Sequence, residues 1–155
     1  DVHLMIRRVN KFLDKYVEAG SNIITFHHEI DENLNDLIYK IKKLNIKAGI
    51  AIKPKTHWEE IKKYLHTVDQ VIIMTVEPGF SGQSFMFDQI TKIKDISQYI
   101  KENDLDVNIE IDGGINYETG KLCLDAGANV LVAGSFLFEQ ENLISATNKL
   151  NDFFN

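Results

Sequence analysis

The chain has 155 residues, with 17 Lys and Arg against 23 Asp and Glu, a formal net charge of −6 and 44% hydrophobic residues. This is ordinary globular composition for one domain, and the acidic balance excludes a chain built to coat nucleic acid or anionic lipid. No run approaches the ~20 apolar residues of a membrane span, and with one cysteine, Cys123, neither an intramolecular disulfide nor a cysteine-rich metal site can form, which fits a reducing, cytoplasmic setting.

The opening residues 1–5 (DVHLM) read as a strand, although Asp1 is no initiator methionine, so the chain is expected to continue a longer polypeptide. An amphipathic helix is predicted over 6–19. Further strands are expected at 22–26, 47–52, 70–75, 108–111 and 130–133, each without polar alternation, as in parallel strands buried on both faces. Helical periodicity with polar outer faces fills 33–44, 58–65, 87–103, 117–126 and 141–154, so every strand is followed by a helix. One connection is longer than the rest, after the strand at 70–75, and it carries the aperiodic run EPGFSG, the kind of loop that is often functional. Regular βα units suit either an open doubly wound sheet or a (β/α) barrel, and a barrel needs eight of them over roughly 200–250 residues. Six are present here.

Several strand ends carry groups suited to chemistry. IEIDGGI (109–115) and VLVAGSF (130–136) both finish in small residues that open a helix. In a barrel the last two such loops commonly hold a phosphate with backbone N–H groups, a role open to Gly113, Gly114, Gly134 and Ser135; the alternative is a tight strand-to-helix turn. The EPGFSG loop offers a third set of backbone donors through Gly79 and Gly82, or is a surface turn. Asp112 is either a site carboxylate or a helix N-cap, and His3 either a metal ligand or a satisfied structural histidine. Adjacent strand residues face opposite ways, so at most one of His27 and His28 looks into the site, and His27 suits support better than direct ligation. Met5 and Met74 can wall a substrate or pack the core, and Cys123, without a neighbouring base, reads as a buried hydrophobe.

Taken in order, DVHLM, TFHHE, AGIAIKP, MTVEPGFSGQSFM, IEIDGGI and VAGSF resemble the ribulose-phosphate 3-epimerase family across nearly the whole chain. The resemblance implies an α/β fold, the (β/α)8 TIM barrel of the ribulose-phosphate-binding type, truncated here to six βα units. It implies a single domain over 1–155, incomplete at its N-terminus, and an isomerase of the pentose phosphate pathway that interconverts D-ribulose 5-phosphate and D-xylulose 5-phosphate. Carried over by residue, it makes Asp112 a catalytic acid/base and a metal ligand, and His3 a metal ligand bordering the substrate. Gly79, Phe80, Ser81 and Gly82 form the phosphate-side loop, while Gly113, Gly114, Gly134 and Ser135 supply further phosphate contacts. Met5 and Met74 line the sugar, and His27 is a supporting neighbour.

The implied cofactor is one divalent metal ion, with zinc, iron, manganese and cobalt all accommodated by mixed histidine and carboxylate ligation. The implied chemistry removes the proton alpha to the ketone at carbon 3, passes through an enediolate and returns a proton on the opposite face, which requires two acid/base groups. The family's second aspartate and another histidine ligand belong to a strand before DVHLM. The implied partners are a small sugar phosphate and further copies of the chain in a homo-oligomer, with no nucleic acid and no membrane. Two alternatives stay open: a hexulose-phosphate 3-epimerase, and a noncatalytic phosphate-binding or structural barrel fragment.

Overall fold

A computed structural model describes residues 1–80 and 82–154 of the chain. All six expected strands form: β1 (Val2–Leu4), β2 (Ile23–His27), β3 (Lys47–Ile52), β4 (Gln70–Met74), β5 (Asn108–Asp112) and β6 (Val130–Val132). They make one parallel sheet in the order β1-β2-β3-β4-β5-β6. Because parallel crossovers are right-handed, a strictly sequential order places every connection on the same face, which is the winding of a barrel and not of a doubly wound sheet.

The sheet curls. Strands spaced ~4.8 Å apart would separate β1 from β5 by roughly 19 Å if the sheet were flat. Instead His3 on β1 reaches Asp112 on β5 at 3.1 Å, and Gln70 on β4 donates to Asp1, just before β1, at 2.8 Å. The result is six of a barrel's eight strands, with the helices outside.

Alternation along each strand sorts the two faces. Leu4, Ile24, Phe26, Ile50, Ile73 and Ile111 point outward into the main core, where they pack against Leu13, Ile38, Ile41, Ile93 and Ile96 of the helices. The inner face is different. Ala51, Ile72, Met74 and Val76 form a small apolar cluster, and paired register sets Thr25, Gly49, Gln70 and Asn108 in one row and Ala51, Ile72 and Glu110 in the next. The expectation of strands without polar alternation is therefore corrected for β2 and β5. In β5, Asn108, Glu110 and Asp112 face inward between Ile109 and Ile111, because the concave face of a barrel leads to the site as well as to a core.

The helices are α1 (Val9–Glu18), α2 (Leu34–Lys43), α3 (Gln89–Glu102), α4 (Tyr117–Asp125), α5 (Ser135–Phe138) and α6 (Leu143–Asn151). Side chains of Asn33, Asn116 and Asn142 cap α2, α4 and α6. Helix α1 begins later than expected, with its first amides donating to the Glu32 carboxylate from the loop after β2.

The segment expected as a helix over 58–65 is instead two 3₁₀ turns, Trp58–Glu60 and Lys62–Tyr64. Its apolar residues Trp58, Ile61 and Tyr64 recur every third position, the repeat that a 3₁₀ helix aligns on one face. The short α5 opens at Gly134, where the small residues of VLVAGSF were expected to start a helix, and the helix expected over 141–154 begins at Leu143. At the C-terminal end, Phe153 docks edge-on against Tyr117 at 6.4 Å. Among the described residues no helix is long and apolar enough to cross a membrane.

Candidate active site

The C-terminal ends of β4, β5 and β6 surround a cleft of about 670 Å³. Its lining brings together most of the residues singled out in the sequence: Met5, Met74, Gly79, Phe80, Gly82, Asp112, Gly113, Gly114, Gly134 and Ser135. Met74 is buried in its floor, while Met5 and Phe80 are exposed at its rim. Ser81 lies outside the described residues. A second cavity of about 910 Å³ adjoins the first and includes His27, Glu29 and Lys53, with Met5 and Pro78 shared between the two.

His3 stands between the cavities. Its Nδ1 lies 3.1 Å from Asp112 Oδ2 and its Nε2 lies 2.9 Å from His27 Nε2. His27 Nδ1 in turn lies 3.2 Å from Glu29 Oε2. Four side chains from three strands and one loop thus form one line, carboxylate to imidazole to imidazole to carboxylate. Asp112 is not a helix N-cap, since Asn116 caps α4. Of the two adjacent histidines only His27 faces the site; His28 turns toward Glu60, 3.5 Å away.

Electrostatics differ along β5 and β2. Burial raises the Glu29 carboxyl, but hydrogen bonds from His27, the Lys53 amide and Thr56 outweigh it and bring it down to about 2. Glu110 goes the other way: burial, reinforced by the charge of Asp112, pushes it up to about 7, and its Oε2 is buried without a hydrogen-bond partner among the described residues. Burial also pushes the Cys123 thiol up to about 12, consistent with a packed hydrophobe and not a nucleophile.

The glycines divide by what surrounds them. Gly113 and Gly114 have φ values of 128° and 63°, and a Cβ would strike Val76 at 2.6 Å and the Phe85 backbone at 2.7 Å. Their first requirement is the close approach of the long loop after β4. At Gly79, Gly82 and Gly134 a Cβ would meet nothing within 4 Å, so these three border open space on the cleft side.

The donor set suits a cation in part. Three gaps along the line need three protons when both carboxylates are ionised, and two neutral rings bring two, so one further positive charge completes it. Among the described residues no three His, Cys, Asp or Glu side chains converge as a full ligand set. Sequence reasoning passed over Thr75, which ties β4 to β5, and Glu110; the signal for Glu110 was its position two residues before Asp112, on the same face of the strand.

A parallel curled sheet with its candidate acid/base group and glycine loops at the strand C-termini defines a TIM-barrel protein with a site at the usual rim. Comparison with known proteins agrees. The crystal structure of 3-hexulose-6-phosphate synthase superimposes with a TM-score of 0.64 at 15% identity, covering 90% of this chain and 65% of that one, a likeness of fold.

Residues 1–138 match the ribulose-phosphate 3 epimerase family, and the chain belongs to that family. The ribulose-phosphate 3-epimerase of Bacillus subtilis is 38% identical over 151 residues, covering 97% of this chain and 70% of the relative. Those of Chlamydia pneumoniae and Escherichia coli K12 are 40% and 35% identical, with 63% and 62% of their lengths covered. The chain therefore spans about two thirds of the length of these relatives.

Proposed function

We propose that this chain carries the phosphate-binding part and one acid/base carboxylate of a metal-dependent epimerase that interconverts D-ribulose 5-phosphate and D-xylulose 5-phosphate. The observation that supports this most directly is Asp112 at 3.1 Å from His3, in a cleft that the loops of Gly79, Gly82, Gly134 and Ser135 also line. A phosphate held at the glycine end leaves the sugar carbons extending toward Asp112.

Asp112 takes the proton from carbon 3 on the face it adjoins, leaving an enediolate, and returns a proton to the same face in the reverse direction. Met5 and Met74 flank the carbon chain and exclude water from it. Inversion needs a second acid/base group on the opposite face, and the relatives are longer than this chain. His3 and Asp112 are the residues that would hold a divalent metal, with His27 beside them. When bound, such a metal supplies Lewis-acid stabilisation of the negative charge that develops next to carbon 3. Zinc, iron, manganese and cobalt all suit a histidine and carboxylate pair.

The chain is, on this account, one incomplete barrel domain of a cytoplasmic enzyme that assembles as a homo-oligomer. The test is to incubate the protein in heavy water with D-ribulose 5-phosphate or D-xylulose 5-phosphate and each divalent metal and follow exchange of the carbon-3 proton, for which one acid/base carboxylate suffices. Exchange that disappears in Asp112→Asn supports the assignment. Exchange into a hexulose phosphate in preference, or phosphate binding with no exchange in either pentulose phosphate under any metal, overturns it.

A further inference from the structure

The long loop between β4 and α3 closes at its base, where the Met86 amide donates to the Thr75 carbonyl at 2.9 Å. Inside it, among the described residues, no backbone amide donates to a backbone carbonyl. One side chain holds the loop instead. Gln83 Nε2 donates to the Glu77 carbonyl at 2.7 Å and to the Phe80 carbonyl at 2.8 Å, so both protons of its amide group are spent within the loop. Packing does not do the same at the tip, because Phe80 is 74% exposed.

The surroundings make the direction of those two carbonyls matter. The cleft that the loop borders is lined by Glu77, Asp112, Glu118 and Glu139 and, among the described residues, by no Lys or Arg. A phosphate bound there has no cationic side chain to offset its charge. It depends on backbone N–H groups, and a carbonyl oxygen turned toward it would repel it.

We propose that Gln83 is a positioning residue: it draws the Glu77 and Phe80 carbonyls onto its own NH₂ and so holds the loop, before any ligand arrives, in the form that accepts a phosphate. The donor and both acceptors belong to the loop itself, so the brace needs no ligand in order to form. This sets the loop apart from a lid that orders only around its substrate. The inference rests on the proposed function in naming phosphate as the ligand.

Gln83→Met tests it, because methionine keeps the length of the side chain and removes both donors. Gln83 lies at the edge of the cleft and outside the main core, so the melting temperature should stay close to the parent's. Calorimetric titration with inorganic phosphate should show an affinity about 5- to 30-fold weaker, since two hydrogen bonds no longer hold the loop in its competent form.

Backbone ¹⁵N relaxation of Gly79 and Gly82 gives a readout independent of affinity. Their order parameters should lie above about 0.6 in the wild type, fall below it in Gln83→Met, and recover in the variant at saturating phosphate, because the ligand then selects the braced form. That recovery separates positioning from a general loss of structure. Unchanged phosphate affinity in the variant overturns the inference, as does a loop equally mobile in both proteins or a fall of several degrees in melting temperature. A wild type that binds no phosphate, with the loop still loosening in the variant, removes the functional assignment and leaves Gln83 as the brace of the loop.

Discussion

Thr75 Oγ1 donates to the Gly113 carbonyl at 2.6 Å while the Thr75 amide donates to the Asp112 carbonyl at 3.0 Å. One buried residue thus latches the end of β4 to the turn that carries the candidate acid/base group. Its own carbonyl accepts from the Met86 amide at 2.9 Å, which also closes the far end of the long loop. Thr75→Val keeps the shape and removes the hydroxyl, leaving the Gly113 carbonyl short of a partner. The expected loss is about 1–3 kcal/mol, read as a fall of several degrees in melting temperature. A variant as stable as the parent contradicts the latch.

Gly49 on β3 faces Thr25 on β2 so closely that a Cβ would lie 2.1 Å from Thr25 Oγ1. Thr25 is fully buried and also receives a hydrogen bond from Gln70 at 3.4 Å, so it cannot simply turn away. Gly49→Ala should cost about 1–3 kcal/mol by overpacking. Combining it with Thr25→Ala should recover part of that loss, and chemical denaturation of the four proteins gives the coupling energy. Additive losses would show that the clash is relieved elsewhere.

Glu110 predicts a pH dependence. Its carboxyl is held up at about 7 by burial and by the charge of Asp112, against an ordinary value of 4.5. Between these values the unfolded chain releases the proton and the folded chain keeps it. The contribution is therefore fully present below pH 4.5 and is lost as the pH rises to about 7, by an amount of about 3 kcal/mol. Urea denaturation from pH 4.5 to 8 should show that decline in the wild type and a markedly shallower one in Glu110→Gln. Parallel curves for the two proteins would count against a protonated Glu110.

The glycines of the cleft separate fold from ligand. Gly134→Val projects into space where a Cβ meets nothing within 4 Å, so its melting temperature should stay close to the parent's while affinity for inorganic phosphate falls at least tenfold. Gly114→Ala should do the reverse first, losing stability because its Cβ meets the Phe85 backbone at 2.7 Å. Calorimetric titration with phosphate, paired with thermal melts, checks both. Unchanged phosphate binding in Gly134→Val removes Gly134 from the phosphate site.

The strands were legible in the sequence because each is a compact apolar run, while their even spacing with following helices left a doubly wound sheet and a barrel both open, and only the family resemblance favoured the barrel. The candidate cleft was legible too, since Asp112, the glycine loops, Met5 and Met74 all fall at strand ends. Two things were not. The 3₁₀ turns at Trp58 and Lys62 depend on a three-residue repeat that is easily taken for a helical one over eight residues. The inward polar rows of Thr25, Gln70 and Glu110 depend on register between strands, which a single strand's pattern does not contain. His27 was placed in support of the site by strand alternation, but its contact with His3 comes from the curl of the sheet.

The most direct test of the central claim, that Asp112 exchanges the proton at carbon 3, is proton NMR of D-ribulose 5-phosphate and of D-xylulose 5-phosphate in heavy water with the protein and a divalent metal. The account predicts loss of the carbon-3 proton signal from at least one of the two epimers, and abolition of that loss in Asp112→Asn with the fold intact. Retention of the signal in both epimers, or exchange at the same rate in Asp112→Asn, would contradict it.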